Sequence, residues 1–260
     1  MLTLRRECHY TQNMRVIVLS DIHANLAALE AVLLQASGGG KIDALWCLGD
    51  TVGYGPQPEE CIRILREMDA VWVAGNHERA ATGAISVDEF NGDAAAAAVW
   101  TMDRLSAVNG KILDALPEVL TPDGCTLVHG TLRWPIWEYL TSQETAVGHL
   151  QRQETSLGFV GHTHVPMAAV LAHGREDECD MYRLKEGAVL CDPEQGKMVV
   201  NPGSVGQPRD GDPRASYIVY DTGEGTITLN RAEYEINATQ RLMMEAGLPR
   251  WLIERLSAGR

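Results

Sequence analysis

The chain has no disulfide framework. Its six cysteines (Cys8, Cys47, Cys61, Cys125, Cys179 and Cys191) are scattered through 260 residues, with no CxxC pair among them. That argues against a stapled secreted domain and points to a reducing compartment, which we read as the cytoplasm. Cys47 and Cys125 lie inside apolar runs and are expected to be small core residues. No apolar run approaches the ~20 residues of a transmembrane helix. Positive charge is also short, with 22 Lys and Arg against 35 Asp and Glu and a net charge of −13. A balance of that sign disfavours non-specific binding to nucleic acid or to an anionic membrane. It leaves room for a small anionic substrate held by local cations.

Linkers, internal repeats and low-complexity tracts are absent as well. A 260-residue chain that is 45% apolar can bury a large core unaided, so one domain spanning 14–260 is expected. Arg5-Arg6 brings a twin-arginine export signal to mind, but "ECHYTQNM" follows where an apolar stretch would be needed. Residues 1–13 read as a poorly ordered N-terminal extension.

From Met14 onward the pattern alternates. "MRVIVLSD", "IDALWCLGD", "AVWVAGN", "CTLVHG", "LGFVGHTHVP" and "MAAVLA" read as strands, rich in β-branched and apolar residues. "NLAALEAVLLQA", stopped by Gly38-Gly39-Gly40, and "PEECIRILREMD", opened by Pro58, read as helices, as do "DAAAAAVWTMDRLSAV" and "SQETAVGHLQRQ". Then "AVLC", "KMVVN", "ASYIVYDT" and "GTITLNRAEYE" form a run of short strands before two closing helical segments. Repeated βα units followed by an antiparallel section predict an α/β protein with two sheets packed face to face and helices outside.

The chemistry-bearing residues stand at strand exits. Asp21 and His23 follow the first strand and Asp50 the second. Asn76, His77 and Glu78 follow the third, His129 the next, and His162 and His164 the strand "GFVG". Ligands in open α/β sheets gather beyond the carboxyl ends of strands. One such residue is ordinarily a helix cap or a turn, but five exits in succession spend five of the eight histidines. The donors are nitrogen and oxygen without thiolate, which argues against a closed structural zinc site. The set suits manganese, iron, zinc, cobalt or nickel better than calcium or magnesium, and manganese is the ion expected. Asp21, His23, Asp50, Asn76, His129, His162 and His164 are too many for one ion and fit two, ~3.5–4 Å apart with a carboxylate between them, a clamp suited to displacement at phosphorus.

Asp21-Ile22-His23, Gly49-Asp50, Gly75-Asn76-His77-Glu78, His129-Gly130 and Gly161-His162-Thr163-His164 resemble, in order, the five motifs of the calcineurin-like metallophosphoesterases. "NPGSVGQPRDGDPRASY" further resembles the family's small bacterial and archaeal phosphodiesterase branch. The resemblance implies a four-layer αββα sandwich of two mixed sheets. It implies that Asp21, His23 and His164 hold one divalent ion, that Asn76, His129 and His162 hold the other, and that Asp50 bridges. A bridging hydroxide would attack phosphorus while His77 protonates the leaving oxygen. The implied function is a metal-dependent phosphodiesterase acting on a small phosphate ester. Phosphomonoesterases, including protein serine/threonine phosphatases, and symmetric dinucleoside tetraphosphate hydrolases are the alternatives, with a metal-free scaffold more remote. The phosphatase branch carries Gly-Asp-x-Val-Asp-Arg-Gly, whereas this chain reads Gly49-Asp50-Thr51-Val52-Gly53-Tyr54-Gly55. Tyr54 stands where that branch has its phosphate-gripping arginine.

Other residues carry weaker expectations. Asn25 is expected to cap the first helix. Glu78 either orients a neighbour or forms a solvated ion pair. Asn201, Gly203 and Ser204 would support the site floor through backbone bonds, and Arg209 and Arg214 either reach substrate or lie in solvent. Trp134, Trp137 and Tyr139 are expected in a core or dimer contact, the alternative being a pocket lining for a base or other apolar leaving group, and His9, His149 and His173 are expected at the surface. The closing "RWLIERLSAG" has an apolar face for the core or for a homodimer.

Overall fold

The structure, a computed structural model, describes residues 13–191, 193 and 196–260. The extension expected over 1–13, His9 and Cys8 included, lies outside the described residues but for Asn13. The elements run β1 (Arg15–Leu19), α1 (Leu26–Gly38), β2 (Ala44–Cys47), α2 (Pro58–Glu67), β3 (Val71–Trp72), α3 (Asn76–Ala81), α4 (Gly92–Met102), α5 (Ala107–Asp114), β4 (Val119–Leu120), β5 (Cys125–Val128) and α6 (Gln143–Arg152). They continue through β6 (Leu157–Phe159), β7 (Met167–Leu171), β8 (Asp180–Arg183), β9 (Val189–Cys191), β10 (Lys197–Asn201), β11 (Ala215–Asp221), β12 (Thr226–Ala232), α7 (Ile236–Glu245) and α8 (Arg250–Glu254).

These strands form two six-stranded sheets, ordered β3-β2-β1-β11-β12-β9 and β4-β5-β6-β10-β7-β8. β1, β2 and β3 pair in parallel, as do β5, β6 and β10, and antiparallel strands complete each sheet. The alternation along β1 shows why there are four layers. Val16 and Val18 face the space between the sheets, where they meet Trp46, Leu127, Phe159, Val200 and Tyr220. Ile17 and Leu19 face outward and are covered by Leu29 and Val32 of α1 and Ile62 and Leu65 of α2. The second sheet does the same with Ala169, Leu171 and Val199 under Ala146 and Leu150 of α6. Each fully buried aliphatic side chain contributes about 1.5–3 kcal/mol. Trp46, Phe159 and Tyr220 knit the two sheets together, with ring centroids 5.8–6.2 Å apart. The αββα architecture expected from the motifs is the architecture found.

Several local expectations need correction. The helix read over "DAAAAAVWTMDRLSAV" is two helices. α4 ends at Met102, and Ser106 starts α5 by accepting a hydrogen bond from the Asn109 amide; an N-cap serine past the alanine run opens a new helix. β3 is only two residues long, because the chain turns into α3 right after Gly75. α3, β4 and β8 carried no periodic signal long enough to read. His149 is not a surface residue: on α6 it is fully buried, accepting from the Leu132 amide at Nδ1 and bonding Gln153 through Nε2. His173 is exposed, as expected. The apolar face of the C-terminal segment packs inside, where Leu252, Ile253 and Leu256 join Tyr54, Ala97 and Met243.

Candidate metal centre

The exits of β1, β2, β5 and β6 and the first turn of α3 converge on one edge of the two sheets. The loops after β1 and β2 are tied to each other by backbone bonds: Asp21 N to Gly49 O (3.1 Å), His23 N to Asp50 O (2.9 Å) and Ala24 N to Thr51 O (2.7 Å). These bonds hold an unusual backbone. Asp21, His23, Asp50, His162 and His164 all have φ between 48° and 67°, a left-handed region that non-glycine residues rarely occupy and that concentrates at functional sites. Asp21, His23, Asp50, Asn76, His77, His129, His162 and His164 are each at most 4% exposed.

Hydrogen bonds at the rim decide which imidazole nitrogens are free. A carbonyl oxygen can only accept, so the nitrogen facing it carries the proton. His23 Nδ1 therefore donates to Val52 O (3.1 Å), His129 Nδ1 to Leu48 O (2.8 Å), His164 Nδ1 to Gln207 O (2.6 Å) and His162 Nε2 to Trp137 O (3.2 Å). A ring that is neutral then turns a bare lone pair inward, as each would once a metal ion had replaced any inward proton. Those lone pairs face each other: His23 Nε2 lies 3.2 Å from His164 Nε2, and His129 Nε2 lies 2.9 Å from His162 Nδ1. Asp21 Oδ1 is 3.2 Å from His164 Nε2 and has no hydrogen-bond donor of its own. Asp50 Oδ2 lies between the two pairs, 3.2 Å from His129 Nε2 and 3.9 Å from His23 Nε2. Asn76 Oδ1 is 3.2 Å from His129 Nε2. Lone pairs pointed at lone pairs repel unless a cation sits among them, so the donor set fits metal ions. Among the described residues, three groups can each hold one: Asp21 with His23 and His164, Asp50 with His129 and His162, and Asp50 with His23 and His77.

The charges point the same way. Burial favours the neutral acids, but His164 beside Asp21 and His129 beside Asp50 hold both carboxyls below the usual range. Burial pushes His23, His162 and His164 down, His162 to about 3. His129 alone goes up, to about 9, because Asp50 overrides its burial. Two ionised carboxylates in a dry site thus draw in positive charge, and a metal ion entering there would displace the proton that His129 otherwise carries.

Residues 14–225 match the family described as the calcineurin-like phosphoesterase superfamily domain. The chain belongs to that superfamily. A metallophosphoesterase from Sphaerobacter thermophilus is similar in structure, with a TM-score of 0.85 and 42% identity over 96% of this chain and 100% of that one. An uncharacterized protein of Methanocaldococcus jannaschii is 38% identical over 94% of this chain and 98% of its own length. Serine/threonine-protein phosphatase 2 of Escherichia coli is 29% identical over 51% of this chain and 65% of its own.

The remaining predicted residues sort out around the phosphoesterase site. Asn25 caps α1, its side chain accepting from the Ala28 amide. Glu78 is no solvated ion-pair partner: it is fully buried and accepts from the amides of Asp50 (2.7 Å), Thr51 (2.6 Å), Val52 (3.3 Å) and Gly75 (2.8 Å). Asn201 and Ser204 do support the floor, but through side chains: Asn201 Nδ2 donates to Gly161 O and Ser204 Oγ to Asp21 O. Arg214 is spent on Asp212 and Glu186, whereas Arg209 lies 6.0 Å over the Tyr54 ring. Trp134 and Tyr139 are not core residues. Trp134 is exposed, Trp137 supplies the carbonyl that orients His162, and Tyr139 stacks on the His162 ring at 4.0 Å. Their closeness in sequence to His129 was the one signal for this, and it does not say which ring they meet. No helix among the described residues is long and apolar enough to cross a membrane.

Proposed function

We propose that the chain is a two-metal phosphodiesterase for a small phosphate ester in the cytoplasm, with manganese the expected ion and iron, zinc, cobalt or nickel able to occupy the same nitrogen and oxygen donors. The observation that carries this reading is the pair of inward lone-pair clusters with Asp50 Oδ2 between them. Asp21, His23 and His164 would hold one ion, and Asn76, His129 and His162 the other. When bound, two divalent ions supply an activated water and neutralise phosphoryl charge. The chain's own residues do the rest. His77 packs 4.4 Å from Tyr54 and 4.8 Å from His23, and its Nδ1 is buried without a partner. Burial holds it down to about 4 against the pull of Asp50. A proton carried by this ring beside the phosphoryl group can pass to the leaving oxygen. Tyr139, with Val165, Met167, Met181 and Tyr182, lines a cleft of about 530 Å³ next to Thr163, where an apolar leaving group can lie. Tyr54 in place of the phosphatase arginine favours this reading over a protein phosphatase.

The test is metal removal and add-back, one ion at a time, with a bis-aryl phosphodiester and the matching monoester as substrates. Manganese-dependent diester cleavage should fall by ~10²-fold or more in His77→Ala. A monoester preference would make the enzyme a phosphomonoesterase, and a protein that binds no ions would remove the whole reading.

A further inference from the structure

Four histidines of this site are held by hydrogen bonds to main-chain carbonyls, and His77 is held differently. It stands in the first turn of α3, where its backbone amide donates to Asp50 Oδ1 (2.9 Å). Its ring has no such tie among the described residues. Nδ1 is buried without a partner, against Gly53, where an added Cβ would collide with it. The ring is therefore oriented by what it packs on. Three rings surround it: Tyr54 at 4.4 Å and 65°, His23 at 4.8 Å and 82°, and Phe90 at 5.1 Å and 74°, all edge to face. Aromatic rings favour that arrangement because the positive rim of one meets the negative face of the other. His23 is a proposed ligand and Tyr54 lies in the loop after β2, but Phe90 belongs to none of the five motifs. It precedes Asn91, the cap of α4, and its amide donates to Val87 O (3.1 Å). Half-buried, it packs against the cluster of Tyr54, Ala94 and Ala97. It also meets Trp137 at 5.4 Å, the residue whose carbonyl orients His162.

We infer that Phe90 is a positioning residue for His77, its ring holding the imidazole in the orientation from which a proton reaches the leaving oxygen. His77 as proton donor belongs to the function proposed above, and the role of Phe90 rests on it. As the bond from phosphorus to the leaving oxygen breaks, its electron pair stays on that oxygen, which takes the proton from His77. Such help matters most for a basic leaving group and least for an acidic phenol, which departs readily as an anion. A ring fixed by packing alone can swing when one of its walls is removed, and a displaced catalytic group loses much of its effect. Leucine at position 90 keeps an apolar side chain there without presenting a ring edge. Its effect should therefore show in the dependence on leaving group and not in ion content.

The test is a double-mutant cycle of wild type, Phe90→Leu, His77→Ala and the double variant. Each manganese-loaded protein is assayed with diphenyl phosphate and with bis(para-nitrophenyl) phosphate, and its bound ions are counted. Phe90→Leu should slow cleavage of the diphenyl ester tenfold or more and the nitrophenyl ester much less. It should cost nothing further where His77 is already alanine, and Phe90→Tyr, which keeps the ring, should restore most of the loss. A second readout needs neither metal nor turnover: the His77 ring signal in the NMR spectrum of metal-free, histidine-labelled protein, assigned by its absence in His77→Ala. Phe90→Leu should broaden that signal by exchange between orientations while His149 keeps its own. A loss equal on the two esters, a loss that persists in the His77→Ala background, or an unaltered His77 signal overturns the inference. So does a Phe90→Leu protein that has lost an ion, since the ring would then serve the fold. Diester cleavage that is the same in wild type and His77→Ala removes the reading of His77 itself and this role of Phe90 with it. A large loss in His77→Ala beside an unaffected Phe90→Leu removes only the role of Phe90.

Discussion

Glu78→Gln is close to isosteric, yet it should be among the most damaging single substitutions in the chain. Oε1 accepts from the Thr51 and Val52 amides and Oε2 from those of Asp50 and Gly75. A carboxamide can satisfy only one side. If its NH₂ replaces Oε1, the amides of Thr51 and Val52 face a donor; if it replaces Oε2, those of Asp50 and Gly75 do. A buried N–H left without an acceptor costs about 1–3 kcal/mol, and the milder choice loses one short bond and one long one, so the expected loss is about 2–4 kcal/mol. For a chain of this size that corresponds to roughly 5–15 °C in Tm. A neutral Glu78 is the specific competitor. Burial and the Asp50 carboxylate push Glu78 up to about 7, while the Gly75 and Asp50 amides pull it down. If the neutral acid were the working form, glutamine would imitate it and the substitution would be nearly silent. Thermal and urea unfolding of metal-free and manganese-loaded protein distinguish the two. A Glu78→Gln variant melting within about 1 °C of wild type with its full ion count would refute the claim that a carboxylate tied to four amides braces the second strand exit.

Three further outcomes are expected. Saturating metal should stabilise the fold by about 2.7 kcal/mol at a hundredfold excess over Kd, seen as a rise in Tm that a chelator reverses; a melting curve indifferent to metal would contradict a site on the folded chain. His149 is buried and held down to about 4, burial outweighing its bond to Gln153, so the unfolded chain takes up its proton near 6.5 while the folded one does not. Stability from this group is fully present above pH 6.5 and falls as pH drops towards 4, by about 3 kcal/mol; urea midpoints for wild type and His149→Gln should diverge across that window, and parallel curves would count against it. In Gly161→Ala the new Cβ would lie 1.9 Å from Ser20 Oγ and 3.1 Å from Asp21 Oδ2, so Ser20, which donates to Asp21 Oδ2, must move. Metal affinity measured by competition should fall, with a loss in stability of about 1–3 kcal/mol; unaltered affinity would mean that Asp21 does not need that support.

The sites at strand exits were legible because a buried strand announces itself by composition, and a carboxylate or imidazole just past its end is conspicuous. Asp21, Asp50, His129 and the two histidines of "GHTH" needed no more than that. What was not legible depends on partners far away in the chain. Glu78 leaves two roles open in the sequence because three of its four donors, the amides of Asp50 to Val52, are 26–28 residues earlier. His149 looked idle because its partner, the Leu132 amide, belongs to a loop with no periodic pattern. The break between α4 and α5 was written in the sequence at Ser106, but a run of alanines masked it.

Of the nine described non-glycine residues with positive φ, five are among the seven proposed ligands and two more, Ala24 and Tyr54, lie in the same loops. A conformation disfavoured by roughly 1–2 kcal/mol per residue is concentrated at one edge of the sheets. It persists there because the loops brace each other. The β1 exit bonds to the β2 exit, Glu78 gathers the amides of the β2 exit and Gly75, and Ser204 and Asn201 hold the Asp21 and Gly161 carbonyls from below. The residues that would touch metal are therefore not the ones that place it. Ligand identity sets which ions bind, while geometry is set by a second group of side chains and amides that could be lost without removing a single donor atom from the sequence motifs. A chain can thus match every motif of its family and still fail to form the centre. For this chain the bracing residues are present and bonded, which is a stronger reason than the motifs alone to expect a working dinuclear site.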